Sequence, residues 1–309
     1  MKQDFFYPSH DGKTTIHAAA WLPEGKPKAI LQICHGMCEH IWRYDEFARY
    51  LAEKGFCVVG NDHLGHGTSV TSVEEHGYFS EKDGDLIVLK DLHTLRRRME
   101  HQFPGVPYFM LGHSMGSFLL RQYIGRCGKR LAGAILMGTG NSPLQVLASI
   151  KRMCRSIALF KGWHAHSNTL NRLSFGNYNK EFEPVRTPYD WLSKDEARVD
   201  TFLNDPLCSF HFTVNGYYNL FSMLEDCQLE PVVAGIPKEL PLLLISGDKD
   251  PVGDNGKDVR ELFRTYQAAG IVDLEIKLFA NDRHNLLDET DRAEVYAYLL
   301  RWLELHIPE

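Results

Sequence analysis

Over the first 140 residues, short apolar runs alternate with segments whose apolar positions recur every three or four residues. Ala29 to Cys34 is continuous apolar sequence broken only by Gln32, and Phe56 to Gly60, Tyr108 to Leu111 and Leu131 to Met137 repeat the pattern. Between them, Tyr44 to Lys54, the spacing of Val88, Leu92, Leu95 and Met99, and Ser114 to Arg126 read as helices. Continuous apolar strands are what a sheet covered on both faces requires, and strand–helix alternation predicts parallel βαβ units. Ahead of them, Phe5-Phe6-Tyr7, a turn at Asp11-Gly12 and a return from Thr14 to Leu22 predict a β-hairpin.

The alternation stops after Gly140. Residues 141–233 contain no clean strand and are rich in aromatic, basic and turn residues. It resumes with Pro241 to Ser246, a helix over Asp254 to Ala269, a strand over Leu274 to Phe279, and a last helix with Val295, Leu299, Trp302 and His306 on one stripe. The predicted fold class is α/β. One domain in two pieces, 1–140 and 234–309, is interrupted by an insertion over 141–233, and no internal repeat is visible.

Composition narrows the function. The 309 residues are 44% hydrophobic and 24% charged, ordinary globular values that exclude a disordered or disulfide-dense chain. The formal charge of −6 argues against a nucleic-acid partner. The seven cysteines show no framework spacing, Met1 to His10 lacks an apolar signal core, and no apolar run is long enough to span a bilayer. The expectation is a cytoplasmic protein with reduced thiols.

Gly112-His113-Ser114-Met115-Gly116 matches G-x-S-x-G between a buried strand and a helix. That is the setting of a nucleophile elbow, where a sharp turn presents the Ser hydroxyl above the sheet. The competing reading is an ordinary strand–helix turn with Ser as helix cap. A Ser nucleophile needs a base and the base an orienting acid, in the order Ser, acid, His. His284, after the last strand, is the base, because the only other His beyond residue 211 is His306 in the final helix. Asp248 and Asp250 both follow the strand ending at Ser246. Asp250 is preferred, with Asp248 read as a turn residue. Backbone N–H groups for an oxyanion are expected from Met115 and, after the strand ending at Cys34, from Met37.

Nine of the fifteen histidines precede residue 102. His35, His40, His63, His66, His76 and His113, with Cys38 and Asp62, invite a metal reading, but no H-E-x-x-H or C-x-x-C spacing occurs. His35 and His113 read better as hydrogen-bonding groups that hold the two oxyanion turns. Cys38 is either a thiol lining the site or, preferred, a bystander.

His35-Gly36-Met37-Cys38-Glu39-His40, Arg43-Tyr44, Asp62-His63-Leu64-Gly65-His66-Gly67-Thr68-Ser69 and Gly112-His113-Ser114-Met115-Gly116-Ser117 together resemble the monoacylglycerol lipase and lysophospholipase group of α/β-hydrolases, in the serine aminopeptidase-like division. The resemblance covers the two core segments. It implies a mostly parallel sheet with helices on both faces and an inserted, mainly helical cap. It implies Ser114 as nucleophile, His284 as base, Asp250 as acid through Gly247-x-x-Asp250, oxyanion donors at Met37 and Met115, no cofactor and no metal. A monoacylglycerol or lysophospholipid is the implied substrate. The insertion offers no position that matches a headgroup-binding residue of the group. A short-chain or aryl (feruloyl-type) esterase, or a thioesterase, would use the same residues under a different cap. A non-catalytic binding protein of the same fold is the rival from another class, while Ser114 excludes relatives that attack with Asp.

Within the insertion, Val146, Ile150, Met153, Cys154, Ile157 and Phe160 share helical spacing, with Lys151, Arg152, Arg155 and Lys161 between them. The preferred reading is a lid packed on the core with a solvated basic face. The alternative is transient contact with an anionic membrane surface, which would add a peripheral location. The aromatic residues from Trp163 to Phe221 are expected to build the cap core and in part to line an apolar channel.

Overall fold

The computed structural model describes residues 1–308. One eight-stranded sheet runs through it: β1 (Lys2–Pro8), β2 (Thr15–Trp21), β3 (Ala29–Cys34), β4 (Phe56–Asn61), β5 (Tyr108–His113), β6 (Gly133–Met137), β7 (Leu242–Gly247) and β8 (Leu274–Phe279). The strand order is β1-β2-β4-β3-β5-β6-β7-β8. β1 and β2 form the antiparallel hairpin, β2 pairs antiparallel with β4, and every pair from β4 to β8 is parallel. This is the sheet that the resemblance implies.

The two faces explain why the strands are continuously apolar. Ile30, Tyr108, Met110, Leu242 and Leu244 point into one core, with Val88, Leu92, Leu95 and Met99 of α2 (Gly84–Gln102), Leu119 and Tyr123 of α3 (Met115–Cys127), and Val259, Leu262 and Tyr266 of α9 (Lys257–Ala268). The alternate residues Leu31, Ile33, Phe109, Leu111, Leu243 and Ile245 point into a second core. Phe47 and Leu51 of α1 (Asp45–Glu53) close it, with Val295, Leu299 and Trp302 of α10 (Arg292–Leu305). Both sets are removed from water, so a one-residue register slip would exchange the cores. Gln32 is tolerated because its amide donates to the Leu92 carbonyl at 3.1 Å and accepts from Tyr108 at 2.6 Å.

Two sequence expectations shift at their ends. The helix expected from Asp254 begins at Lys257, because Asp254, Asn255 and Gly256 all take positive φ and cannot continue a right-handed helix. His306 lies just beyond α10, where its ring stacks on Trp302 at 4.3 Å and accompanies a 2.7 Å contact to the Trp302 carbonyl.

Between β6 and β7 run α4 (Leu144–Lys161), α5 (Asn168–Phe175), α6 (Glu196–Asn204), α7 (Val214–Asp226) and α8 (Glu230–Ala234). α4 differs from its expected packing. Leu147 and Cys154 are its buried residues, while Val146, Met153 and Phe160 on the predicted stripe are exposed. The basic residues are not simply solvated either: Lys151 pairs with Glu225, and Arg155 donates to Tyr218 at 2.6 Å and lies over its ring. No helix among the described residues is long and apolar enough to cross a membrane.

The exit from β6 toward these helices is fixed by a buried charge. Arg121 of α3 is 1% exposed and donates to the Gly140 carbonyl and the Asn141 amide oxygen, both at 2.8 Å. An Arg121→Met substitution keeps the apolar stem but strands the Gly140 carbonyl. It should lower stability by about 1–3 kcal/mol in urea unfolding. An unchanged urea midpoint would show that the Arg121 guanidinium does not hold this exit.

Candidate active site

The chain changes its crossover direction around β3 and β5, so the turns after these neighbouring strands meet at one end of the sheet, where ligands bind in open α/β sheets. Ser114 takes φ 53° and ψ −120°, a conformation that a non-glycine residue adopts only under local constraint. Its hydroxyl makes no capping hydrogen bond to α3, which separates the turn from an ordinary Ser cap. A side chain on Gly116 would lie 2.0 Å from the Cys34 carbonyl oxygen, and one on Gly112 would lie 2.3 Å from the Gly116 carbonyl oxygen. Only glycine permits strand and helix to meet this closely.

The turn after β3 packs against the same place. A Cβ on Gly36 would lie 3.3 Å from the Ser114 Cβ and 2.8 Å from Glu39 Oε1. Glu39 is buried and collects donors: the Gly36 N–H at 2.5 Å, Tyr44 at 2.8 Å and Arg43 Nε at 3.0 Å, with His113 Nδ1 at 3.3 Å. Burial alone would raise its pKa. The His113 contact and the nearby Arg43 charge outweigh burial and hold this carboxyl well below its ordinary range. Arg43 also reaches Asp288 at 2.6 Å, tying this turn to the chain beyond His284. Among the described residues, neither the Met37 nor the Met115 N–H has a protein acceptor, and both residues line the cavity described below.

His284 and Asp250 come together from the loops after β8 and β7. His284 Nδ1 lies 3.0 Å from both Asp250 oxygens, and both residues are buried. Ser246 donates to Asp250 Oδ2 at 3.0 Å and the Val252 N–H to Oδ1 at 2.9 Å. Asp248 points elsewhere and accepts the Asn281 N–H at 2.8 Å, so it braces the neighbouring loop rather than its own turn. Ser114 and His284 line the same cavity, with no hydrogen bond between them.

Gly138, Trp191 and Glu39 join the site without having been singled out in the sequence. A Cβ on Gly138 would lie 3.0 Å from His284 Cε1, and Trp191 stacks obliquely on His284 at 5.1 Å. Gly138 carried a usable signal, since it follows an apolar strand directly. Trp191 was legible only as one of the aromatic residues expected to build the cap core or line a channel, because its approach to His284 depends on the path of the insertion.

The cavity measures about 320 Å³. Ser114, His284, Met37 and Met115 line it together with apolar side chains from the helices between β6 and β7, Leu147, Ile150, Phe175, Leu220, Phe221 and Leu224. Cys38 also borders it. Its thiol donates to the Phe210 carbonyl at 2.9 Å, and burial pushes its pKa well up, so it is held as a protonated thiol.

The early histidines have distinct tasks. His35 accepts the His63 N–H at 2.9 Å, and its other nitrogen lies 2.7 Å from the Gly36 carbonyl. Its ring lies 4.0 Å from that of His63 and 5.2 Å from that of His66. His40 contacts Asp205 at 2.9 Å, with Cys208 close enough for the three to share an ion. The Arg43 guanidinium beside Cys208 opposes a cation there.

Burial pulls His63 down to about 4 and His66 to about 3, so both are neutral at pH 7. The unfolded chain, with His near 6.5, binds more protons below that value than the folded one, and stability therefore falls with pH from 6.5 toward 4 and 3. The melting temperature should drop as pH falls from 7 to 4.5, and less steeply for His66→Gln. Equal pH slopes for the two proteins would rule out His66 as a source of the loss.

The family model described as Serine aminopeptidase, S33 matches residues 25–291. The chain is 29% identical over 280 residues to the monoglyceride lipase of Homo sapiens, covering 87% of this chain and 79% of that one. It is 23% identical over 305 residues to the monoacylglycerol lipase of Mycolicibacterium smegmatis, covering 96% and 95%. A thermostable carboxyl esterase from Bacillus coagulans, solved in complex with glycerol, superimposes with a TM-score of 0.92 at 29% identity over 99% of both chains. A soluble variant of the Saccharomyces cerevisiae monoglyceride lipase shares the fold, with a TM-score of 0.78 at 17% identity over 99% of this chain and 96% of that one.

Proposed function

The chain belongs to the serine aminopeptidase S33 family and is an α/β-hydrolase of the ester-cleaving kind, and on that premise we propose that it hydrolyses carboxylic esters of apolar acyl groups, monoacylglycerols or lysophospholipids, through Ser114, His284 and Asp250. The observation that carries the lipid reading is the cavity. Ser114 and His284 share it with Leu147, Ile150, Leu220 and Phe221, an apolar lining among which an acyl chain held at Ser114 would run. We treat residues 141–233 as the cap that roofs this channel.

In this reading Ser114 Oγ attacks the ester carbonyl carbon while His284 Nε2 takes its proton. Asp250 fixes the tautomer of His284 and stabilises the imidazolium. The Met37 and Met115 N–H groups donate to the developing oxyanion, and their lack of protein partners supports that role. His284 then protonates the departing alcohol. A water molecule, deprotonated by His284, cleaves the acyl-enzyme, and the carboxylic acid leaves with Ser114 restored. Nothing in this sequence of steps calls for a cofactor. Substrates reach the site from water or from a membrane surface, and the exposed Leu159 and Phe160 at the end of α4 suit the latter.

The likeness to a carboxyl esterase favours one second reading, a preference for short acyl or aryl esters. A chain-length panel separates the two. Each methylene that enters an apolar channel is worth about 0.8 kcal/mol, so kcat/KM should rise roughly tenfold for every two carbons until the channel is full. Long-chain monoacylglycerol should then exceed nitrophenyl acetate and butyrate, with lysophosphatidylcholine measured beside them. A maximum at acetyl or butyryl would overturn the lipid assignment. The acid assignment is tested separately. Asp250→Asn should lower kcat on the order of a thousandfold or more, and Asp248→Asn should leave it nearly unchanged. Reversal of those two results would move the role to Asp248.

A further inference from the structure

The backbone around His284 is not held by the sheet alone. The His284 N–H donates to the Trp191 carbonyl at 3.4 Å and the Asn285 N–H to the Leu192 carbonyl at 2.7 Å, a two-rung ladder between the histidine loop and a segment lying between β6 and β7. Glu289 closes the ladder. It is completely buried. Its Oε1 accepts the Arg283 N–H at 2.6 Å, and its Oε2 accepts both the Ser193 hydroxyl and the Lys194 N–H at 3.0 Å. One carboxylate thus grips the residue before His284 with one oxygen and the segment beyond Trp191 with the other. Lys194 adds an outer tie through Nζ to Asp282 at 2.5 Å.

We infer that Glu289 is a positioning residue for the proposed reaction, a clamp that fixes the His284 loop to the Trp191–Lys194 segment and so sets the base against Asp250 and Ser114. The inference rests on the reading of His284 as the base. Arg283, His284 and Asn285 are successive donors in a loop with no strand partner of its own, and all three are satisfied by Glu289 or by the segment it holds. Loss of the carboxylate leaves half-buried donors unpaired at Arg283 and Lys194, and the loop moves to find water. A base displaced by a fraction of an ångström loses its alignment with the Ser hydroxyl. Because Trp191 also borders the cavity and stacks on His284, the same clamp transmits the position of the roof to the base.

The test compares Glu289→Ala, Glu289→Gln and Ser193→Ala with the wild type on a nitrophenyl ester. Glu289→Ala should lower kcat on the order of tenfold to a hundredfold, with a smaller change in KM. It should also move the acid limb of the kcat/KM profile to lower pH, by about half a unit or more, as the displaced loop loosens the imidazolium from Asp250. Glu289→Gln, which keeps an acceptor, should recover part of both effects. Ser193→Ala, which removes one donor and leaves the Lys194 N–H in place, should shift both in the same direction by less. Amide hydrogen exchange at residues 283–285 should quicken in Glu289→Ala and reads the clamp whether or not the ester turns over. A loss of melting temperature with an unmoved pH limb and unchanged exchange at 283–285 would reduce Glu289 to a stability residue and overturn the inference. If Glu289→Ala does not fold, wild-type kcat and pH limb in both Glu289→Gln and Ser193→Ala would overturn it equally. A wild type that cleaves no ester at all would instead defeat the proposed reaction, with exchange at 283–285 still deciding the clamp.

Discussion

The Cys34 carbonyl occupies the space that a side chain on Gly116 would need, at 2.0 Å from its Cβ. That approach lets the first turn of α3 sit against the end of β3, and from it follow the positive φ at Ser114 and the neighbourhood of Gly36. The parallel pairing of β3 with β5 brings the two turns level. A side chain on Gly112 or Gly116 would press against backbone, where no side chain can yield, whereas one on Gly36 would meet the Glu39 carboxylate. The conformation of Ser114 is strained, and the buried cores on both faces of the sheet are what over-determine it.

A second layer of polar contacts keeps these turns from relaxing. Glu39 gathers the Gly36 N–H, Tyr44 and Arg43 on one side, and Arg43 continues to Asp288 beyond the histidine loop. Glu289 does the corresponding work between that loop and the segment after α5. Two buried carboxylates thus brace the neighbourhood of the candidate base, Glu39 at the turn after β3 and Glu289 at the segment after α5. A buried carboxylate that gathers several donors rigidifies a site, because its loss leaves each of those donors without a partner.

Most of the sheet and the helices that flank it were legible in the sequence, because a strand covered on both faces must be continuously apolar and a helix on a sheet must repeat every 3.6 residues. The elbow was legible for the same reason, since Gly112 and Gly116 bracket Ser114 at the one junction where a strand runs straight into a helix. The start of α9 was misjudged because Asp254 and Asn255 resemble a helix cap in composition but adopt the left-handed region. The packing of α4 was misjudged because its apolar positions form a stripe wider than the face it buries. The ties of Trp191, Ser193 and Glu289 to the histidine loop were invisible, because they come from contacts nearly a hundred positions apart in the chain. The histidines were legible as loop holders at His35 and His113, whereas the stacking of His35, His63 and His66 required three separate turns to be placed.

The central claim is that the strained turn presents Ser114 as the nucleophile. A fluorophosphonate probe followed by intact mass and peptide mapping tests it most directly. The account predicts one adduct per chain, on the peptide carrying Ser114, and none in Ser114→Ala. Ester turnover that persists in Ser114→Ala, or labelling that is unaffected by that substitution, would contradict it.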